Sequence, residues 1–195
     1  GLSRIPSRRT FDRRLATISN DIKNRITTMG ELFVRDKIID PSVISADSTL
    51  IKAKGSVWHK SSMTKEIVPH SGIDTDARWG FSHTKGWIFG YKLHMVASTG
   101  SITVPLSADF TTANIPDNQM YSILTARSSL PVTIIKKTLY MSADPGYDDH
   151  ELYDLSTELG FRLVCPVQRY KNTPIDRIKL VEFYKSEVGQ AIYSL

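Results

Sequence analysis

The chain has 195 residues, 41% of them hydrophobic and 23% charged, with a net charge of +5; this is enough to bury a core and excludes a wholly disordered protein. No apolar run approaches the roughly 18 residues of a membrane span, and no signal-peptide pattern opens the sequence. The single cysteine, Cys165, excludes an internal disulfide and a cysteine-rich zinc module, so a reducing compartment is expected.

The length predicts one domain with an arm rather than two domains. Residues 1–37 hold nine basic and four acidic residues, with Arg4, Arg8, Arg9, Arg13 and Arg14 close together, whereas residues 38–195 hold sixteen of each. A basic arm on a neutral body suits a polyanion such as DNA, because neutralised phosphates release counterions. A solvated face of a helix packed on the body is the alternative. From Phe11, apolar residues at Leu15, Ile18, Ile22, Ile26, Met29 and Phe33 keep the helical period, with Ser7 or Thr10 as cap. Gly30 is expected to end this helix or divide it.

Beyond the arm, short β-rich runs appear at 38–46, 87–97, 102–106, 139–143 and 162–167. Residues 53–86 are polar and weakly periodic, and are expected to form a loop over the sheet. Helices are expected at 118–129 and at 148–159, the second stopped by Gly160. The order β-β-β-α-β-α-β predicts an α/β fold, with a mixed five-stranded sheet flanked by helices. A right-handed crossover makes the fourth run a neighbour of the first.

That pairing matters for two carboxylates. Asp47 follows Val43-Ile44-Ser45-Ala46, and Asp144 follows Tyr140-Met141-Ser142-Ala143. If the first and fourth runs pair in parallel, the two end side by side, about 5 Å apart at the backbone. Carboxylates this close repel unless a cation lies between them, and hard oxygen ligands on a rigid edge suit Mg²⁺ or Mn²⁺. Two such ions, about 3.5–4 Å apart, activate a water or hydroxyl and stabilise the leaving oxygen in phosphodiester cleavage. The bland alternative is a pair of turn residues at strand ends. Ser-Ala-Asp also ends at Asp109, which falls two strands and roughly 10 Å from the first run and reads as structural.

The segments "SADST" at 45–49, "DARWG" at 76–80, "FGYKLH" at 89–94, "TTANIPDNQ" at 111–119, "SADPGYDD" at 142–149 and "YKSEVGQAIYSL" at 184–195 stand in a specific order. Together they resemble the catalytic core of bacterial insertion-sequence transposases of the DDE type, and "IPSRRTFDRRL" at 5–15 is similar to the helical segment before such cores. The resemblance spans nearly the whole chain. It implies a ribonuclease H-like fold and a cytoplasmic, nucleoid-associated prokaryotic enzyme, dimeric when complete. Such an enzyme cuts transposon-end DNA and joins it to target DNA with two Mg²⁺ or Mn²⁺ ions held by Asp, Asp and Glu. The first Asp falls on Asp47 and the second on Asp144. The family's Glu lies on a C-terminal helix, shortly past a "YSL"-then-Arg sequence, and Glu182 and Glu187 lie too early to match it. The sequence is therefore expected to be cut short at both ends: a basic helical arm at 1–37, then a DDE core at 38–195 without the helix that carries the third acidic residue.

Lys92 and His94 alternate with Tyr91, Leu93 and Met95, so they share one strand face. They are candidates for phosphate contact beside Arg8, Arg9, Arg13 and Arg14, or else for a solvent-facing pair. Trp58, Trp79 and Trp87 are candidates for stacking on an unpaired base, although anchoring a loop to the core is the commoner role. Asn114 and Asp117 match a family segment and are expected to shape the loop before a helix. The five histidines show no close zinc spacing, and Ser48 and Thr49 lack a His partner for a hydrolase triad. The function expected is DNA cleavage and strand transfer. The alternatives are a non-catalytic DNA-binding or oligomerising remnant, and a host nuclease on the same fold.

Overall fold

The computed structural model describes residues 8–82 and 84–167, with the backbone alone at 8–17, 19 and 20. Glu182, Glu187 and the segment 184–195 lie outside the described residues. Helix α1 (Arg8–Arg35) runs through Gly30 without a break, which corrects the expected division. The glycine is where the helix crosses the sheet: a Cβ at Gly30 would stand 3.0 Å from Leu106 Cδ2. The missing side chain therefore allows a close approach, at a helix cost of only about 1 kcal/mol. Farther along the sheet, Lys23 pairs with Asp109.

The sheet has six strands: β1 (Val43–Lys52), β2 (Arg78–Ser82), β3 (Gly86–Ser98), β4 (Pro105–Thr112), β5 (Tyr140–Ala143) and β6 (Arg162–Val164). β1 pairs antiparallel with β3 and parallel with β5, and β5 pairs parallel with β6. β2 and β4 both pair antiparallel with β3, β2 along residues 86–90 and β4 along residues 91–97. The expected neighbouring of the first and fourth runs is present as the β1–β5 pair. The short helices are α2 (Lys60–Thr64) and α4 (Val132–Ile135), the longer ones α3 (Asp117–Thr125) and α5 (His150–Leu159). Gly160 closes α5 with a φ of 94°, a left-handed conformation that glycine adopts without a Cβ clash.

One sheet face carries Ile44, Ala46, Val96, Leu106, Met141 and Leu163 into the core, where Met120, Tyr121 and Leu124 of α3 and Leu152 of α5 meet them. Burying each such aliphatic side chain contributes about 1.5–3 kcal/mol. The Tyr121 hydroxyl is satisfied inside this core by Ser156 Oγ at 2.6 Å, as a buried phenol requires.

β4 runs over Pro105–Thr112 rather than 102–106, and β2 and β1 depart from expectation for local reasons, β2 as a sixth strand where five were expected. β2 lies inside the stretch read as loop. It is five residues long with a central glycine, and a Cβ at Gly80 would stand 2.3 Å from the Ala113 carbonyl. Close backbone approach, rather than side-chain alternation, holds it. β1 starts and ends later than expected. The Asp40 carboxylate accepts from the Ser42 backbone N–H at 2.9 Å, turning the chain just before the strand. Pairing with β3 then carries β1 on through Asp47 to Lys52.

Candidate active site

Asp47 thus sits within β1 rather than at its end, but it occupies a second kind of boundary. The parallel β1–β5 pairing stops at Ala46 and Ala143, so Asp47 and Asp144 are the next residues on two adjacent strands. Beyond them β1 is held by β3 alone. The chain after β5 turns sharply at residues 145–147, where Asp144 Oδ1 accepts from the Gly146 N–H at 2.9 Å. Asp47 Oδ1 accepts from the Ser48 N–H at 2.7 Å. Each carboxylate therefore has one oxygen fixed by backbone.

A third carboxylate joins them from α3. Asp117 is the first residue of that helix. Lys92 Nζ donates to its Oδ1 at 3.1 Å, and His94 Nδ1 stands 3.4 Å from the same oxygen. A Cβ on Gly146 would lie 3.7 Å from Asp117 Oδ2, so Asp117 reaches the turn that follows Asp144. A cleft of about 320 Å³, lined by Ser48, Thr49, Lys85, Lys92, Asp117 and Asp144 among others, opens here.

The electrostatics separate these groups. Burial pulls the Asp117 carboxyl up, but contacts with His94 and Ser48 and the charge of Lys92 outweigh it and hold it down at about 2. Asp144 goes the other way. Loss of water around its carboxyl raises it, the Gly146 N–H opposes, and the charges of Asp117 and Asp47 add to the rise. The Tyr147 hydroxyl is pushed far up, first by burial and then by Asp117, Asp144 and Asp47. Two buried polar atoms beside these carboxylates, Tyr147 OH and His94 Nδ1, complete no hydrogen bond. Such groups are rare in a protein interior.

Asp47 and Asp144 suit a hard divalent cation: they offer oxygen donors at adjacent strand positions, and the negative charge crowding Asp144 is what a cation relieves. As a ligand set they are partial. Among the described residues no three His, Cys, Asp or Glu side chains converge in metal-holding geometry.

The other expected residues divide. Lys92 and His94 do share one face, but it is the face covered by α3. His94 is fully buried, with Nε2 on Thr111 Oγ1 at 2.9 Å. This corrects the expectation of a DNA phosphate contact there, because no surface of His94 meets solvent. Lys92 is 12% exposed and bonds the Ile115 carbonyl and Asp117, so it is not a solvent-facing residue. Arg8, Arg9, Arg13 and Arg14 lie on α1, and their side chains lie outside the described residues. Asp109 is structural as expected, paired to Lys23. Trp58 and Trp79 are anchors: Trp58 Nε1 donates to the Ile67 carbonyl at 2.9 Å and Trp79 Nε1 to the Trp58 carbonyl at 2.8 Å. Trp87 is exposed, with Lys60 Nζ 4.0 Å above its ring. Asn114 shapes its loop through Thr112 Oγ1 at 2.8 Å. Asp117 does more than that, and its membership of the site was missed. The only signal was its place in the quoted segment 111–119.

Residues 39–195 match the sequence profile of the family described as "Transposase DDE domain". No curated protein matches the chain. Among solved structures, the chain is similar to one in the simian T-cell lymphotropic virus intasome in complex with PP2A regulatory subunit B56 gamma, at 16% identity over 80% of this chain and 41% of that one, with a TM-score of 0.37. It is also similar to the piggyBac transposase synaptic complex with hairpin DNA (14% identity, 84% of this chain and 31% of that one, TM-score 0.43). A third similarity is to the Mos1 transposase paired-end complex with the left transposon end (11% identity, 96% and 58%, TM-score 0.34). The chain therefore spans less than two thirds of each of these three. Among the described residues no helix is long and apolar enough to cross a membrane.

Proposed function

This chain belongs to the transposase DDE domain family, and on that premise we propose that it is the ribonuclease H-like catalytic core of a transposase, cleaving transposon ends and joining them to target DNA. The observation that carries the proposal is the β1–β5 register, which leaves Asp47 and Asp144 as the next residues on two adjacent strands; the proposal takes them as the family's first and second Asp.

In this reading Asp47 and Asp144 hold two Mg²⁺ or Mn²⁺ ions. When bound, such ions activate a water or a 3′-hydroxyl and stabilise the leaving oxygen. The chain's own part is to place the carboxylates. The backbone N–H groups of Ser48 and Gly146 each hold one oxygen of Asp47 and Asp144, and strands rather than loops fix the spacing. The family's third ligand, a Glu, is assigned to none of the described residues. Arg8, Arg9, Arg13 and Arg14 contact DNA phosphates, and the working enzyme is a homodimer.

The test is nicking of DNA that carries the element's terminal inverted repeats. Nicking requires Mg²⁺ or Mn²⁺ and is abolished by Asp47→Asn and by Asp144→Asn; nicking that survives either substitution overturns the assignment. A second reading, a non-catalytic DNA-binding or oligomerising remnant, draws on the incomplete ligand set among the described residues. Salt-sensitive binding of the same DNA, with no cleavage in any metal, selects it. Cleavage without preference for the inverted repeats selects a host nuclease instead.

A further inference from the structure

The cleft that holds Asp144 also holds a cation of the protein's own. Lys92 lines it together with Asp117 and Asp144, and the ammonium's charge reaches the Asp144 carboxyl. A lysine ammonium on a flexible four-carbon stem swings readily toward a carboxylate. Salt-bridged to Asp144, it would neutralise one of the two groups that a divalent cation needs. In this structure Lys92 is held elsewhere. Its Nζ donates to Asp117 Oδ1 at 3.1 Å and to the Ile115 carbonyl at 2.9 Å, and its side chain is 12% exposed. His94 Nδ1 stands 3.4 Å from the same Asp117 oxygen, and Ser48 acts with it to hold the Asp117 carboxyl down. His94 is in turn fixed from behind by Thr111, so the acceptor belongs to both β1 and β3.

We infer that Asp117 is a positioning residue, the counter-ion that keeps Lys92 away from Asp144 so that this carboxylate stays free for a divalent cation, and that Asp117 is not a metal ligand. The inference rests on the metal reading of Asp47 and Asp144 given above. It gives a role to a carboxylate that stands in the site yet already has one oxygen engaged by Lys92. It also explains why a lysine is tolerated in a cleft whose other charged neighbours include Asp144.

Mn²⁺ binding to the full chain, followed by the electron paramagnetic resonance signal of the free ion, tests this in four proteins: wild type, Asp117→Asn, Lys92→Met and the double variant. Asp117→Asn releases the ammonium onto Asp144 and weakens binding about tenfold. Lys92→Met binds at least as tightly as wild type. The double variant recovers to within about threefold of Lys92→Met, because without the ammonium there is nothing for Asp117 to restrain. A double variant that stays as weak as Asp117→Asn makes Asp117 a ligand and overturns the inference. Unchanged binding in Asp117→Asn, with only a lower melting temperature, makes it a purely structural residue and also overturns it. Should Asp117→Asn alone fail to fold, the comparison of Lys92→Met with the double variant still decides. Wild-type protein that binds no Mn²⁺, or binds it equally well as Asp47→Asn, overturns the metal reading itself, and this inference with it.

Discussion

Asp117 also makes a quantitative statement about stability, which is testable without metal or DNA. Its carboxyl lies at about 2 in the folded protein against an ordinary 3.8, and each tenfold change in acidity is worth about 1.4 kcal/mol. The charged form of Asp117 therefore stabilises the fold by roughly 2 kcal/mol. The side chain is 19% exposed, so solvent screens only a little of this. The sign follows from the direction. A carboxyl held below its unfolded value contributes stability that is fully present above that value, and the contribution is lost as the pH falls through the folded one. The perturbation is Asp117→Asn, which has nearly the shape of the protonated acid. Urea denaturation of metal-free protein should show wild type about 2 kcal/mol more stable than the variant at pH 7, with the gap closing between about pH 4 and pH 2. A gap that persists undiminished at pH 2 would mean that shape rather than charge holds Asp117, and the electrostatic account would fail. A gap below about 0.5 kcal/mol at pH 7 would refute it equally.

Asp144 should behave in the opposite sense. Its carboxyl is raised by loss of water and by the charges of Asp117 and Asp47, so in the absence of metal its ionisation costs stability. That cost is absent below the ordinary carboxylate range and grows as the pH rises through the folded value. Asp144→Asn keeps an acceptor for the Gly146 N–H and should raise the metal-free melting temperature at pH 7 but not at pH 3; a lower melting temperature at pH 7 contradicts this. At Gly90, where β1 and β3 approach closely, a Cβ would stand 2.0 Å from the Ile51 carbonyl oxygen and 2.7 Å from the Ala53 nitrogen. Both atoms are backbone, which yields less than a side chain, so Gly90→Ala should cost at least about 1–3 kcal/mol. An unchanged melting temperature would show that the strands shift freely.

The pairing of Asp47 with Asp144 was legible because everything it needs is local or general. Two short apolar runs each end in Asp, a helix and a loop separate the later strand from the earlier ones, and the handedness of crossovers then brings the strands together. The last helix was legible for the same kind of reason, since Asp149 caps its start through the Glu151 N–H and Gly160 closes its end. β2 was not legible. Its five residues, Arg78-Trp79-Gly80-Phe81-Ser82, become a strand through the edge of β3 they pair with, and the glycine that permits the close approach reads in sequence as a break.

The sequence by itself therefore determined the α/β class, the residues at the edge where β1 and β5 part, and the fact that Lys92 and His94 share a face. An alternating strand says which residues lie together but not which face the helices cover. Tertiary structure decided that α3 packs over Lys92 and His94, burying the histidine and turning the lysine onto Asp117. Asp117 became part of the site in the same step, because its partners Ser48, Lys92 and His94 come from two strands that only the folded sheet brings to the start of α3.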